Sequence, residues 1–136
     1  MKVKLEHDAF RPERAHDTDA GYDLRACRGK KIDAYESKVF DTGVHVQIPH
    51  GYCGIIVSKS GLNVNQNITS TGLIDEGYTG TIKVKLYNHG ESEYCVKRGD
   101  KISQLVIVPY LAEEIEIVDR LDETERGDRG FGSTGK

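Results

Sequence analysis

Glycines punctuate this chain at short intervals, and between them apolar residues alternate with polar ones. The stretch "VHVQI" (44–48) alternates Val44, Val46 and Ile48 with polar neighbours, "TIKVKLYN" (81–88) does the same with Ile82, Val84 and Leu86, and "EIEIV" (114–118) repeats the pattern. A period of two puts every apolar side chain of a strand on one face, so each stretch reads as a half-buried strand. Further strands are expected at 2–5, 23–27, 38–41, 52–58, 73–75, 94–97 and 104–109. Gly29, Gly43, Gly51, Gly61, Gly72, Gly77, Gly80, Gly90 and Gly99 all fall between apolar runs, which reads as punctuation between elements. Beyond one short turn near 60–67, no window carries a 3.6-residue stripe. Many short strands at this spacing predict an all-β sandwich, jelly roll or barrel.

At 136 residues the chain has room for one core. A net charge of -3 and a pI near 5.9 argue against a nucleic-acid backbone binder, which needs a concentrated basic face. Any basic site must be local. No apolar run approaches a bilayer span, and "MKVKLEHDAF" lacks the apolar middle of a signal peptide, so a cytosolic protein with no membrane partner is expected. Cys27, Cys53 and Cys95 are odd in number and far apart; they read as small buried hydrophobes rather than a disulfide framework or zinc knuckle.

Five segments combine residue types that could carry chemistry. "DAGYDLRA" (19–26) places Asp23 at the start of a strand, where a carboxylate could hold a metal-bound water or simply cap a turn. "PHGYCGIIVSKSGL" (49–62) ends in an ammonium, two hydroxyls and an open glycine amide, which suits either a phosphate cradle or a polar loop. In "GLIDEGYTGTIKVKLYN" (72–88) apolar Leu73 and Ile74 deliver Asp75 to a hairpin tip with Gly77 and Gly80, and Tyr78 follows on the same turn. An aromatic at a tip buries little, so it makes sense if it packs against a ligand ring. "RGDKISQLVIVP" (98–109) leads from a basic turn into a strand that carries Gln104, whose amide both donates and accepts; the bland alternative is a solvent-facing side chain.

The fifth segment is "RGDRGFGSTG" (126–135), followed by Lys136. It cannot form a core strand or a helix, so it should stay loose unless something orders it. From Gly130 it reads G-x-x-x-x-G-K, as a P-loop opens, but without the following Ser or Thr and helix that a P-loop requires. Its open amides, two guanidiniums and hydroxyls suit an oxyanion.

Taken in this order, the segments resemble the five motifs of the trimeric dUTP diphosphatases (dUTPases), across residues 19–135. The resemblance implies a jelly-roll-like β-barrel over residues 1–121, with a flexible phosphate-binding tail at 122–136 that closes over a neighbouring subunit's site. It implies a homotrimer with sites at subunit interfaces: the first, second and fourth motifs come from one subunit, the third from a neighbour and the tail from the remaining chain. It further implies Mg2+-dependent hydrolysis of dUTP to dUMP and pyrophosphate. Asp75 matches the carboxylate that deprotonates the attacking water, and Asp23 the carboxylate that reaches, through water, an Mg2+ held mainly by the triphosphate. Tyr78 matches the aromatic under the deoxyribose. Main-chain groups near Leu73, Ile74 and Lys83 would meet the uracil edge, while Lys59, Ser60, Gly61, Thr69 and Gln104 fall among the substrate contacts. In the tail, Phe131 would stack on uracil while Arg126, Gly132, Ser133 and Thr134 hold the γ-phosphate.

Two departures from the family pattern stand out. Lys59 takes the place of the usual Arg before Ser-Gly, which keeps the charge but loses the planar two-pronged fork. Arg129 takes the place of a common glycine. Two rivals share the fold: dCTP deaminases, which carry a catalytic glutamate about where this chain has Lys85, and a nucleotide-sensing regulator that acts by binding a partner.

Overall fold

A computed structural model describes residues 1–130. In chain order its elements are β1 (Lys2–Leu5), β2 (Gly21–Arg25), β3 (Lys30–Ile32), β4 (Ser37–Gln47), β5 (Tyr52–Val57), α1 (Ser60–Gln66), β6 (Ile68–Thr69), β7 (Thr71–Ile74), β8 (Thr81–Asn88), β9 (Tyr94–Val96) and β10 (Lys101–Pro109). The strands form two four-stranded sheets, ordered β1-β4-β8-β6 and β2-β10-β5-β7, with β3 and β9 paired beside them. Every pairing is antiparallel.

Period-two alternation explains the core directly. In β8, Ile82, Val84 and Leu86 are buried while Lys83 and Lys85 face out, and the buried set meets Phe40, Val44 and Val46 of β4, Leu24 of β2, Ile56 of β5 and Leu105 of β10. The result is an all-β, jelly-roll-like barrel, as the strand spacing predicts. Of the described residues, none forms a helix long and apolar enough to cross a membrane.

Several expectations need correction. Gly43 does not separate two strands: β4 runs through it as one strand with a bulge, where the register against β8 shifts between Asp41 and His45. Gly43 has φ +61°, and a Cβ there would stand 2.9 Å from Ala9 Cβ, so glycine is required by the bulge geometry and by close packing. Its N–H donates to Asp41 Oδ1 at 2.9 Å. The short strands β3 and β6 carry too few residues for alternation to show. Cys95 is exposed, unlike Cys27 and Cys53. Finally, 114–118 is not a half-buried strand; Ile115 and Ile117 are 91% and 95% exposed, and among the described residues regular structure ends at Pro109.

Candidate active site

The turn after β7 is not a hairpin. β7 pairs with β5 and β8 pairs with β4, so residues 75–80 carry the chain from one sheet to the other. β7 is also the edge strand of its sheet, and β6 covers β8 only opposite Asn88 and Tyr87. Main-chain groups of β7 and of the start of β8 therefore border an open slot of about 250 Å³ lined by Leu73, Ile74, Asp75, Tyr78, Thr81 and Lys83. Unpaired strand edges can hydrogen-bond a planar heterocycle as they would another strand. Tyr78 N–H donates to Asp75 O at 3.0 Å, which closes the turn, and Tyr78 Oη donates to Thr81 O at 2.9 Å, which fixes the ring across it. A side chain at Gly80 would run into that ring. Thr81 was not singled out from sequence; its contribution is a carbonyl and a position, neither of which residue type reveals.

A second cluster lies on the β2-β10-β5 face. Register places Asp23 opposite Gln104, and Gln104 opposite Val57. Asp23 is 3% exposed and neither caps a turn nor starts its strand. Lys59 Nζ donates to its Oδ1 at 3.0 Å, Lys101 Nζ to its Oδ2 at 2.6 Å and Gln104 Nε2 to its Oδ1 at 3.3 Å. Burial alone pushes this carboxyl up, but the hydrogen bonds from Lys101 and then Lys59, with their charges, outweigh it and hold the group below its ordinary 3.8. Lys101 belongs to the basic turn noted in the sequence, but only the cross-strand register shows that it reaches Asp23. Gln104 is half-buried and turned to Asp23 rather than to solvent.

Behind this cluster a serine network fixes the end of β5. Ser103 Oγ donates to Val57 O at 2.7 Å, which commits its proton, so Ser70 Oγ donates to Ser103 Oγ at 2.7 Å. Ser58 Oγ donates to Ser70 O at 3.0 Å and accepts from Ser70 N–H at 2.9 Å. Lys59 follows in extended conformation and leads into α1. Ser60 and Gly61 are exposed there, and a Cβ on Gly61 would meet nothing within 4 Å, so internal packing does not demand this glycine. Thr69 sits in β6 opposite Tyr87, with Oγ1 2.7 Å from His89 Nε2, and lines neither cluster. Arg126 is exposed and its Nε donates to Arg129 O at 3.0 Å. Phe131, Gly132, Ser133 and Thr134 lie outside the described residues.

The two clusters stand at opposite ends of β5. Ile74 pairs with Gly54, so Asp75 comes level with Cys53 near the start of that strand, whereas Lys59 lies beyond Val57, which pairs with Thr71. At about 3.3 Å per residue the separation is roughly 20 Å, too far for one small ligand held in one copy of the chain to use both. As to metals, no three His, Cys, Asp or Glu among the described residues converge as a metal cage. Asp23 can offer a carboxylate to a cation that arrives with its own ligands, in competition with Lys59 and Lys101.

A family model described as dUTPase matches residues 8–135. The chain is 43% identical to a deoxyuridine 5'-triphosphate nucleotidohydrolase of Gloeothece citriformis, over 99% of this chain and 96% of the relative. Among solved structures it is similar to the dUTPase of Staphylococcus bacteriophage 80alpha with dUpNHpp, at TM-score 0.94 and 33% identity, covering 99% of this chain and 98% of the other. It is also similar to a mutant dUTPase from phage phi11 of S. aureus, described with a coordinated structural Mg(II) ion, at TM-score 0.81 and 31% identity, covering 88% and 96%.

Proposed function

This chain belongs to the dUTPase family, and from that premise we infer that it is a dUTP diphosphatase, hydrolysing dUTP to dUMP and pyrophosphate. The reaction keeps uracil out of DNA and supplies dUMP for thymidylate synthesis. The observation that carries the assignment to residues is the slot between β7 and β8, where an exposed carboxylate, Asp75, and an aromatic, Tyr78, flank unpaired strand edges.

In this reading the uracil edge hydrogen-bonds main-chain groups near Leu73, Ile74 and Lys83, and the deoxyribose packs on Tyr78. A ring held in place by Thr81 O leaves no room for a 2'-hydroxyl, so ribonucleotides are refused. Asp75 accepts the proton of the water that attacks the α-phosphorus; a positioned base typically contributes about 10²–10⁴-fold. Lys59, Ser60, Gly61 and Gln104 orient the phosphates, with open space at Gly61 for an oxygen to approach the main chain. Thr69 acts from β6, in the segment that joins α1 to β7. Mg2+ bound to the triphosphate would neutralise the charge that builds in the transition state. Asp23 would hold it through water, with Lys59 and Lys101 giving up part of their hold on the carboxylate. From the tail at 122–136, Arg126, Gly132, Ser133 and Thr134 hold the γ-phosphate and Phe131 stacks on the base.

The assembly follows as a homotrimer in which Asp75 of one subunit serves the Asp23–Lys59 cluster of another, with the tail of the remaining chain closing the site. The roughly 20 Å along β5 supports a site shared between copies, as do the exposed apolar residues Leu111, Ile115, Ile117 and Leu121. The substrate is a water-soluble nucleotide, in keeping with a cytoplasmic location and with no nucleic-acid or membrane partner. The deciding measurement is pyrophosphate release from dUTP, UTP, dTTP and dCTP with Mg2+, for the parent and Asp75→Asn. Release from dUTP alone, reduced about a thousandfold in the variant, is expected. Binding of dUTP without release by either form would transfer the site to a regulatory role, and ammonia release from dCTP would make it a deaminase.

A further inference from the structure

Glu76, the residue next to Asp75, does not line the nucleotide slot. Its carboxylate is instead the centre of a three-donor clasp. Gly51 N–H donates to Oε2 at 2.7 Å, His50 Nδ1 donates to Oε1 at 2.8 Å, and Tyr110 Oη donates to Oε2 at 3.1 Å. These donors come from two elements distant in sequence. His50 and Gly51 form the turn between β4 and β5, where Gly51 has φ +80° and Tyr52 N–H closes on Pro49 O at 3.2 Å. Tyr110 is the first residue after β10, where the chain leaves the barrel, and its own N–H donates to Gly51 O at 3.1 Å.

Asp75, by contrast, is exposed, and its carboxylate accepts no hydrogen bond among the described residues. Nothing holds that side chain directly, so its place follows from its backbone. On the N-terminal side the backbone is fixed by β7 pairing with β5. On the C-terminal side Tyr78 N–H closes the turn on Asp75 O and His45 Nδ1 lies 2.8 Å from Thr79 O, and Glu76 adds the side-chain anchor adjacent to the base. We propose that Glu76 is a positioning residue: through Gly51, His50 and Tyr110 it fixes the turn that carries the general base and ties that turn to the departure of the C-terminal segment.

The idea is physically specific. Charge-assisted hydrogen bonds are stronger than neutral ones, and a carboxylate with three donors confines its own backbone. A general base works only within hydrogen-bond reach of its water, and a displacement near 1 Å can cost about a hundredfold in rate. The inference rests on Asp75 being the base, so the test must separate the two.

Full-length parent, Asp75→Asn, Glu76→Ala and Tyr110→Phe are assayed for dUTP hydrolysis with Mg2+, and for binding of dUpNHpp by calorimetry. Glu76→Ala is expected to lower kcat about tenfold to a hundredfold while the Kd of dUpNHpp moves less than about twofold, since Leu73, Ile74 and Lys83, whose main chain meets the base, stay held in paired strands. Tyr110→Phe removes one hydroxyl and no ring, and should lower kcat by about threefold with the same unchanged Kd. A merely structural role would instead weaken binding and turnover together, and that result would overturn the proposal. So would a kcat within about twofold of the parent for Glu76→Ala. If Glu76→Ala does not fold, Tyr110→Phe decides alone, and an unchanged kcat there overturns the proposal. Should Asp75→Asn keep its activity, the base assignment fails; should it be inactive beside a fully active Glu76→Ala, the clasp alone fails.

Discussion

Two stretches of this chain carry the same alternation and meet opposite fates. In β8, Ile82, Val84 and Leu86 are each 0% exposed, whereas Ile115 and Ile117 of the C-terminal segment are 91% and 95% exposed. Composition does not separate them; both set branched apolar residues between charged ones. What differs is the neighbour. β8 has β4 along one edge and β6 along part of the other, and the second sheet closes over its apolar face. The segment beyond Pro109 has no strand beside it among the described residues. Alternation therefore states how a stretch would pack, while topology decides whether a surface exists for it to pack on. In the proposed homotrimer a neighbouring copy would supply such a surface, so the two regions should fail in different ways when cut back.

The largest expected effect exploits that contrast. Leu86→Ala opens a cavity inside the barrel and should lower unfolding stability by about 2–5 kcal/mol. Ile117→Ala removes a side chain that one copy leaves in water, so any loss must come from assembly: sedimentation should show more dissociated chain, and Tm should become more dependent on concentration. If Ile117→Ala destabilised the protein by as much as Leu86→Ala at every concentration, the segment would be packed on its own barrel and the contrast would collapse.

Next comes the Lys59 end of the barrel against the tail. Lys59→Ala removes a charged donor that Asp23 already holds in place, and should raise the KM for dUTP about tenfold; Lys59→Arg, which restores the planar fork, should lower it below the parent value. Arg126 is exposed, and its contacts run to the neighbouring Arg129 carbonyl. Its ordering should depend on ligand, so dUpNHpp should slow trypsin cleavage after Arg126 about fivefold while cleavage within the barrel stays slow throughout. Equal rates with and without the analogue would remove the tail from the site.

How much of this was legible without coordinates varies with range. The core face of β8 follows from period alone, and the turn near 60–67 is α1. Asp75, Tyr78 and Lys83 converge on one slot because they are local to one turn and the strand after it. Relations across strands stayed hidden. Lys101 reaches Asp23 through register, the serine network joins residues 58, 70 and 103, and Glu76 meets His50 and Tyr110 across separate turns. The continuous β4 was hidden for another reason: glycine marks a loop and a bulge equally well, and only the pairing of β4 with β8 on both sides of Gly43 tells them apart.

The junction between the two regions offers the smallest and most discriminating test. The hydrogen bond from His50, followed by that from Gly51, holds the Glu76 carboxyl below its ordinary 4.5. The Glu76 hydrogen bond in turn raises His50 above its ordinary 6.5. The lowered acid contributes stability above pH 4.5, lost as pH falls through its folded value; the raised base contributes below pH 6.5, lost as pH rises through its own. The charged pair is thus complete between 4.5 and 6.5. His50 is 96% exposed, so solvent screens the pair and its effect should be small. His50→Gln keeps a neutral donor toward Glu76 but does not titrate, so the Tm difference between parent and variant should peak in that window and shrink above it. A difference that stayed flat across the window and well beyond it would mean that shape alone holds the clasp, and that the charge on His50 has no part in joining the Asp75 turn to the departing segment.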